Sequence, residues 1–261
     1  MPSNIHPTAI VSPTADIADD VTIGAFTIVE GDVTIGSGCK LHSHVHLLGK
    51  VTLGENCTLW PGCIIGGAPQ SVGFDENTSS GITIGIGNTI REHVTIHRSL
   101  EKGGLTRIGD HNFLMVGTHI GHDCVLGDHN VIANNTMLGG HISLGHHIFI
   151  GGGTGIHQFA RIGDHAMLQG HASISQDIPP YVTAAGLNNI VGLNSIGLRR
   201  AGFTPATRRE IKQIYRLFYR QELNRQQALQ AAEATEWSEA AKLFITFLSQ
   251  NSKLGYCMRT R

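Results

Sequence analysis

Residues 119–141 read HIGHDCVLGDHNVIANNTMLGGH, with His119, His122, His129 and His141, an Asp123 beside His122, and a Gly139-Gly140-His141 run. Three kinds of chemistry suit such a stretch. Three imidazoles converging tetrahedrally would hold zinc. One imidazole with a neighbouring carboxylate makes a general base with an orienting partner. Alternatively, the histidines are polar turn residues that recur with the fold. The choice depends on how the chain coils, because only coiling can bring residues so far apart to one place.

Composition narrows the classes first. The chain has 261 residues, room for one large domain or a large and a small one, and 41% are hydrophobic, ample for a packed core. A formal net charge of -1 argues against nucleic-acid binding by the whole chain. Cys39, Cys57, Cys63, Cys124 and Cys257 are odd in number and contain no CxxC pair. They fit neither a disulfide scaffold nor a zinc ribbon, and a reducing compartment suits them best. The opening MPSNIHPTAI lacks the basic and apolar regions of a secretory signal. No run approaches the ~18 apolar residues of a membrane span. The expected setting is therefore cytoplasmic.

Every sixth residue from Ile5 to Ile65 is aliphatic. The register breaks over GGAPQSVGFDENTSSG, resumes at Ile84, lapses once at Lys102, and runs on to Ile174. Neither a helix nor a simple alternating strand has a period of six. The pattern predicts a mainly β chain folded as a parallel β-helix of hexapeptide repeats, each hexad one short strand and a turn with its aliphatic residue turned inward. Three hexads make a coil of eighteen residues, and 33 glycines agree with so many regular turns. Residues 66–81 and about 98–105 become loops thrown out from the coil. After Pro179-Pro180 the period stops. Thr204-Pro205 then reads as an N-cap with proline at N1. Ile211, Ile214, Tyr215, Phe218 and Tyr219 follow amphipathic helical spacing. QQALQAAEA and WSEAAKLFITFLSQ add two further helices. The expected division is a β-helix over 1–186 and a helical domain over 187–261.

Eighteen residues per coil turn spacing into geometry. His122, Gly140 and Gln158 form one column; Asp123, His141 and Phe159 form the next; His157 adjoins Gln158. These groups should converge within about two strand spacings, roughly 10 Å. His122 with Asp123 suggests a base and its orienter. Gly140 allows a backbone N–H to approach a ligand closely, as an oxyanion donor should. A second column, His93, His111, His129, His147 and His165, reads as a corner ladder in solvent, with stacked metal binding as the alternative. His42, His44 and His46 alternate along one strand. Cys124 reads as a small core residue.

At this point the chain resembles the bacterial UDP-N-acetylglucosamine acyltransferases of lipid A synthesis over essentially its whole length. The matching words are HPTAIV at 6–11, IREHVTIHR at 90–98, GHDC at 121–124, ANNTMLGGH at 133–141, IHQF at 156–159 and QDIPPYV at 176–182. The resemblance implies a homotrimer of left-handed β-helices with active sites between subunits. It implies transfer of a 3-hydroxyacyl chain from acyl carrier protein to the 3-hydroxyl of UDP-N-acetylglucosamine. Carried over, His122 resembles the general base, Asp123 its orienting carboxylate and the Gly140 N–H the oxyanion donor. His119, His141, His157, Gln158 and Gln70 resemble substrate-contacting or supporting residues, as do Asn194 and Arg200. Gly170 matches the position that measures acyl length. An ordinary histidine pKa of ~6.5 suits such a base, and neither metal nor redox cofactor is implied. Arg208, Lys212, Arg216 and Arg220 recur at i, i+4 and make a basic row that would steer the acidic carrier protein.

Two stretches depart from the family pattern. Where the family usually has Gln-Asp-Leu-Lys, this chain has Gln70-Ser71-Val72-Gly73, losing both charges. In NSIGLRRAGF, Ile196 replaces a Glu and Ala201 an Arg. These departures leave a different UDP-sugar acceptor open. A trimeric zinc carbonic anhydrase of the gamma class is the reading from another class, on the spacing of His141 and His146. An idle scaffold trimer is the third. The related N-acyltransferase carries a domain before the repeat, whereas the repeat here begins at Ile5.

Overall fold

A computed structural model of the chain describes residues 4–258. Short strands, most of them two residues long, stack into three sheets of eleven, nine and eight strands. Apart from one terminal hairpin all pairings are parallel, and the chain visits the sheets in rotation. The coil is a left-handed parallel β-helix. Its hexad aliphatics pair directly from coil to coil: Ile23 with Leu41, Ile132 with Ile150, Ile156 with Ile174. From Ile23 to Ile174 these residues are buried and fill the prism. A second interior row is polar. Asn88, Asn112 and Asn130 are buried, and the side-chain oxygens of Asn88 and Asn112 each accept the backbone N–H of the next asparagine at 2.9 Å.

The third residue after each aliphatic sits at the turn, frequently with positive φ. Asn, Asp and His enter this left-handed region more readily than other non-glycine residues. His44, His93, His111, His129, His141, His147, His165 and His171 all occupy it, with φ between 54° and 59°. This accounts for much of the histidine content.

The expected ladder is present for four of its five members. His111, His129, His147 and His165 stack with ring centroids 4.8–5.1 Å apart. His93 does not belong to it. The chain excursion after His97 carries Ile90 into register with Leu114, twenty-four residues on, instead of eighteen. His93 therefore falls on a different corner and packs against Gly62.

Strand Val182–Ala185 continues the first sheet, and Asn189–Leu193 pairs antiparallel with it, so the sheet extends past 186. Four helices follow: α1 (Ser195–Arg200), α2 (Pro205–Tyr219), α3 (Arg225–Ala232) and α4 (Glu239–Ser249). Thr204 caps α2, its hydroxyl accepting the Thr207 N–H at 3.1 Å, and Pro205 stands at N1. Ile211, Ile214, Tyr215, Phe218 and Tyr219 are buried, packed with Phe244 and Leu248 of α4 into the helical core. Arg161 of the coil ties the two parts together through Asp177, Gln250 and Tyr256. No helix among the described residues is long and apolar enough to cross a membrane.

Candidate active site

Both chain excursions leave the coil at the same corner, between a strand of the nine-stranded sheet and one of the eight-stranded sheet. The first runs from Ile64–Gly67 to Gly81–Ile84 and the second from Thr95–His97 to Leu105–Ile108. In the next coil that corner holds His122 and Asp123. The coil above brings Gly140 and His141, and the one beyond brings Gln158 and Phe159. Backbone bonds confirm the stacking: the His141 N–H donates to the His122 carbonyl at 2.9 Å, and Phe159 N–H to the Gly140 carbonyl at 3.0 Å.

His122 Nδ1 lies 2.8 Å from Asp123 Oδ2. An ionised carboxylate only accepts, so Nδ1 carries a proton, and in the neutral ring Nε2 is the nitrogen with the free lone pair. Asp123 is held in turn by the second excursion: the Ser99 hydroxyl donates to Oδ1 and the Leu100 N–H to Oδ2 at 3.0 Å. Its own N–H donates to Thr106 Oγ1 at 2.8 Å. Burial pushes the Asp123 pKa up, but the bonds from Ser99, Leu100 and His122 outweigh it and hold the carboxyl below its ordinary value. His141 Nε2 stands 3.8 Å from the same carboxylate, its ring edge-on to His122. Burial lowers the His141 pKa more than Asp123 raises it.

The imidazole of His122 rests directly on Gly140. A Cβ built there would lie 2.5 Å from His122 Nε2, so only glycine leaves the ring its seat. The Gly140 N–H finds no acceptor among the described residues. These groups open on a cavity of about 550 Å³ lined by His119, His122, Gly140, His157, Gln158 and Gln70, which the first excursion delivers. Its floor is the outward row His119, Met137, Gly155 and Ser173, paired strand to strand. His119 Nδ1 bonds Thr95 Oγ1 at 2.8 Å, and His157 Nδ1 donates to the Gln158 carbonyl at 3.0 Å. Cys124 is fully buried, its thiol pushed up to about 12 by burial and bonded to the Gly139 carbonyl, so it does not serve as a nucleophile.

Other expected residues lie elsewhere in the single chain. Gly170 is exposed on a different corner, against the Gly152 backbone. Asn194 caps α1 and donates to the His165 carbonyl at 2.9 Å, while Arg200 ends that helix in solvent. His141 and His146 occupy different corners, and His146 pairs with Asp128 at 3.1 Å. Among the described residues, the three-residue group able to hold a metal is His122, Asp123 and His141, which is the hydrogen-bonded His122–Asp123 pair plus a neighbour.

Four site residues escaped the sequence reading: His97, Ser99, Leu100 and Thr106. His97 lines the cavity edge-on to His119, and burial first, then the charges of His119 and His122, push its pKa down to about 4. Its word, IREHVTIHR, was the available signal.

Comparison with known proteins agrees with both halves of the chain. The family model described as bacterial transferase hexapeptide (six repeats) matches residues 14–49, 32–67 and 105–140. That described as Udp N-acetylglucosamine O-acyltransferase, domain 2, matches 177–257. The acyl-(acyl-carrier-protein)–UDP-N-acetylglucosamine O-acyltransferase of Thermodesulfovibrio yellowstonii is 43% identical over 87% of this chain and 88% of its own length. The enzyme of that name from Rickettsia canadensis is 46% identical over 98% and 97%. The solved UDP-N-acetylglucosamine O-acyltransferase of Moraxella catarrhalis superposes with a TM-score of 0.90 at 40% identity, covering 97% of this chain and 99% of that one. With relatives matched end to end and the carboxylate-held histidine beside an open cavity, the chain belongs to the acyl-(acyl-carrier-protein)–UDP-N-acetylglucosamine O-acyltransferase family, and it is an acyltransferase.

Proposed function

We propose that the chain transfers a 3-hydroxyacyl group from acyl carrier protein to the 3-hydroxyl of UDP-N-acetylglucosamine, the first step of lipid A biosynthesis, with His122 as general base. The observation that carries the catalytic part is the seating of His122, with Nδ1 bound to an ionised Asp123 and its ring on Gly140, which makes Nε2 the basic nitrogen of the neutral ring. In this reading Nε2 takes the proton of the acceptor hydroxyl as its oxygen attacks the thioester carbonyl carbon. The Gly140 N–H donates to the developing oxyanion. Asp123 keeps the ring oriented and stabilises the imidazolium. Collapse breaks the carbon–sulfur bond, and the imidazolium returns the proton to the departing thiolate, giving an ester and a free thiol. Gln70, His119, His157 and Gln158 surround the cavity as substrate contacts, with His141 in support. Gly170, Asn194 and Arg200 join the site across a subunit boundary in a homotrimer. The basic row of α2 receives the carrier protein, and the buried thiols of Cys39, Cys57, Cys63 and Cys124, none of them in a disulfide, suit a cytoplasmic setting.

The family membership displaces the carbonic anhydrase reading. A different UDP-sugar acceptor remains as the second reading, because Ser71 and Gly73 stand in the loop that brings Gln70 to the cavity.

Purified protein with 3-hydroxyacyl-carrier protein and UDP-N-acetylglucosamine, followed by mass spectrometry, tests both. Acylated nucleotide is expected from the parent. His122→Ala should lose about 10²–10⁴-fold in rate, the usual weight of a general base. Undiminished turnover in that variant removes His122 from its role. Parent turnover only with another UDP-sugar selects the second reading.

A further inference from the structure

The first excursion is largely exposed over residues 70–79, yet it presents Gln70 to the cavity. One side chain holds it down. The Arg98 guanidinium donates from one terminal nitrogen to the Thr78 carbonyl and, at 3.0 Å, to the Ser80 hydroxyl. Its other terminal nitrogen donates to the Glu76 carbonyl at 2.8 Å, and its carbon lies 4.9 Å from the centre of the Phe74 ring. The backbone N–H of Arg98 donates to the Gly67 carbonyl at 3.1 Å, so both ends of the excursion meet at one residue. The fixed fork of a guanidinium can reach several acceptors at once, which an ammonium cannot do in this geometry. The next residue faces the dyad. Ser99 is fully buried, its carbonyl accepts the Ser80 hydroxyl at 2.6 Å, and its own hydroxyl donates to Asp123.

We propose that Arg98 is a positioning residue for the acceptor, clamping the loop over 68–80 so that Gln70 is held at the cavity. The inference rests on the acyltransferase reading only in taking that cavity as the acceptor site. Arg98 and Ser99 divide the work: Arg98 sets the loop and Ser99 sets the carboxylate. Losing the clamp leaves the proton-transfer pair intact but loosens one wall of the pocket. Arg98→Ala should therefore raise the acceptor KM by at least about tenfold, the scale of losing charge-assisted hydrogen bonds. The carrier-protein KM, the pH profile and kcat should stay close to the parent's. Added guanidinium ion at millimolar concentration should restore part of the acceptor affinity, and Arg98→Lys should recover only a fraction of it.

Amide hydrogen exchange on the full-length protein supplies a readout independent of turnover. In Arg98→Ala, exchange over residues 70–79 should accelerate about tenfold or more, with the strand at Gly81–Ile84 unchanged. Ser80→Ala, which removes one Arg98 bond to the loop together with the bond to the Ser99 carbonyl, should show a smaller change in the same direction if the larger variant folds poorly. Unchanged loop exchange, or a fall in kcat with the acceptor KM unmoved, overturns the proposal. A parent enzyme that fails to acylate UDP-N-acetylglucosamine overturns the acceptor reading instead, and the exchange experiment still decides whether Arg98 is the clamp.

Discussion

His122 rests on Gly140 with no room for a Cβ between them. Gly140→Ala retains the backbone N–H, so its effect isolates the position of the ring from the oxyanion contact. We expect kcat to fall about 10²-fold, the order associated with a misplacement near 1 Å, while the melting temperature moves little. Steady-state rates beside a thermal melt decide this, and parent-like turnover would show that the ring tolerates displacement. His97 supports a second prediction. Its pKa of about 4 in the folded chain lies below the ~6.5 of an unfolded histidine. Between those values the unfolded chain binds the extra proton, so stability rises with pH across this window and is lost as pH falls through it. Denaturant melts of His97→Gln should show a shallower decline between pH 6.5 and 4 than the parent. Identical slopes would mean that His97 titrates normally.

At the scale of elements, the period of six made the coil legible and also set the limit of what could be read. From Ile108 onward the register is uninterrupted, so stacking His122, Gly140 and Gln158 from spacing alone succeeds. Across the excursions the arithmetic fails. Ser99 and Leu100 reach Asp123 from more than twenty residues upstream, and His93 leaves the ladder for the same reason. Loops that leave one corner carry no periodic mark, so their contacts with the next coil are invisible in sequence. Helix α2 was legible because its two faces differ. Its apolar side is buried, while Lys212, Arg216 and Arg220 are exposed and Arg208 partly so. Arg208 and Lys212 also border a cavity of about 350 Å³ with Arg209. Reversing two charges, Lys212→Glu with Arg216→Glu, should raise the KM for acyl carrier protein by about tenfold or more at low salt, as loss of electrostatic steering does. The difference should narrow as salt rises. Turnover of a short acyl-pantetheine thioester should not change. An equal loss with that substrate would place the row's effect in the helix fold.

For the whole molecule, the eleven-stranded sheet carries an outward row that one chain leaves uncovered. Phe113 pairs with Val131, Val131 with Phe149 and Phe149 with Met167. Phe149 is 41% exposed, and the row is apolar over four successive coils. The other sheets present mixed faces, such as Thr34, Thr52, Thr83 and Arg107 on the eight-stranded one. An in-register aromatic and aliphatic stripe on a rigid prism suits a second copy of the chain, since contiguous apolar surface on a soluble protein marks an interaction face. The same geometry would bring Gly170, one corner away from His122, to a neighbour's cavity. Phe149→Asp places an ionised carboxylate in the stripe between Val131 and Met167, where it would lose hydration on assembly. Its residue sits on the outside of the strand, so the interior packing of Ile150 is untouched. Sedimentation at micromolar concentration should find the parent as a trimer and the variant shifted toward monomer, with unchanged circular dichroism. Activity should fall with the trimer fraction and return at concentrations that restore it. A variant that stays trimeric at the same concentration would move the interface to another sheet, and a monomeric, active parent would confine the whole site to one chain.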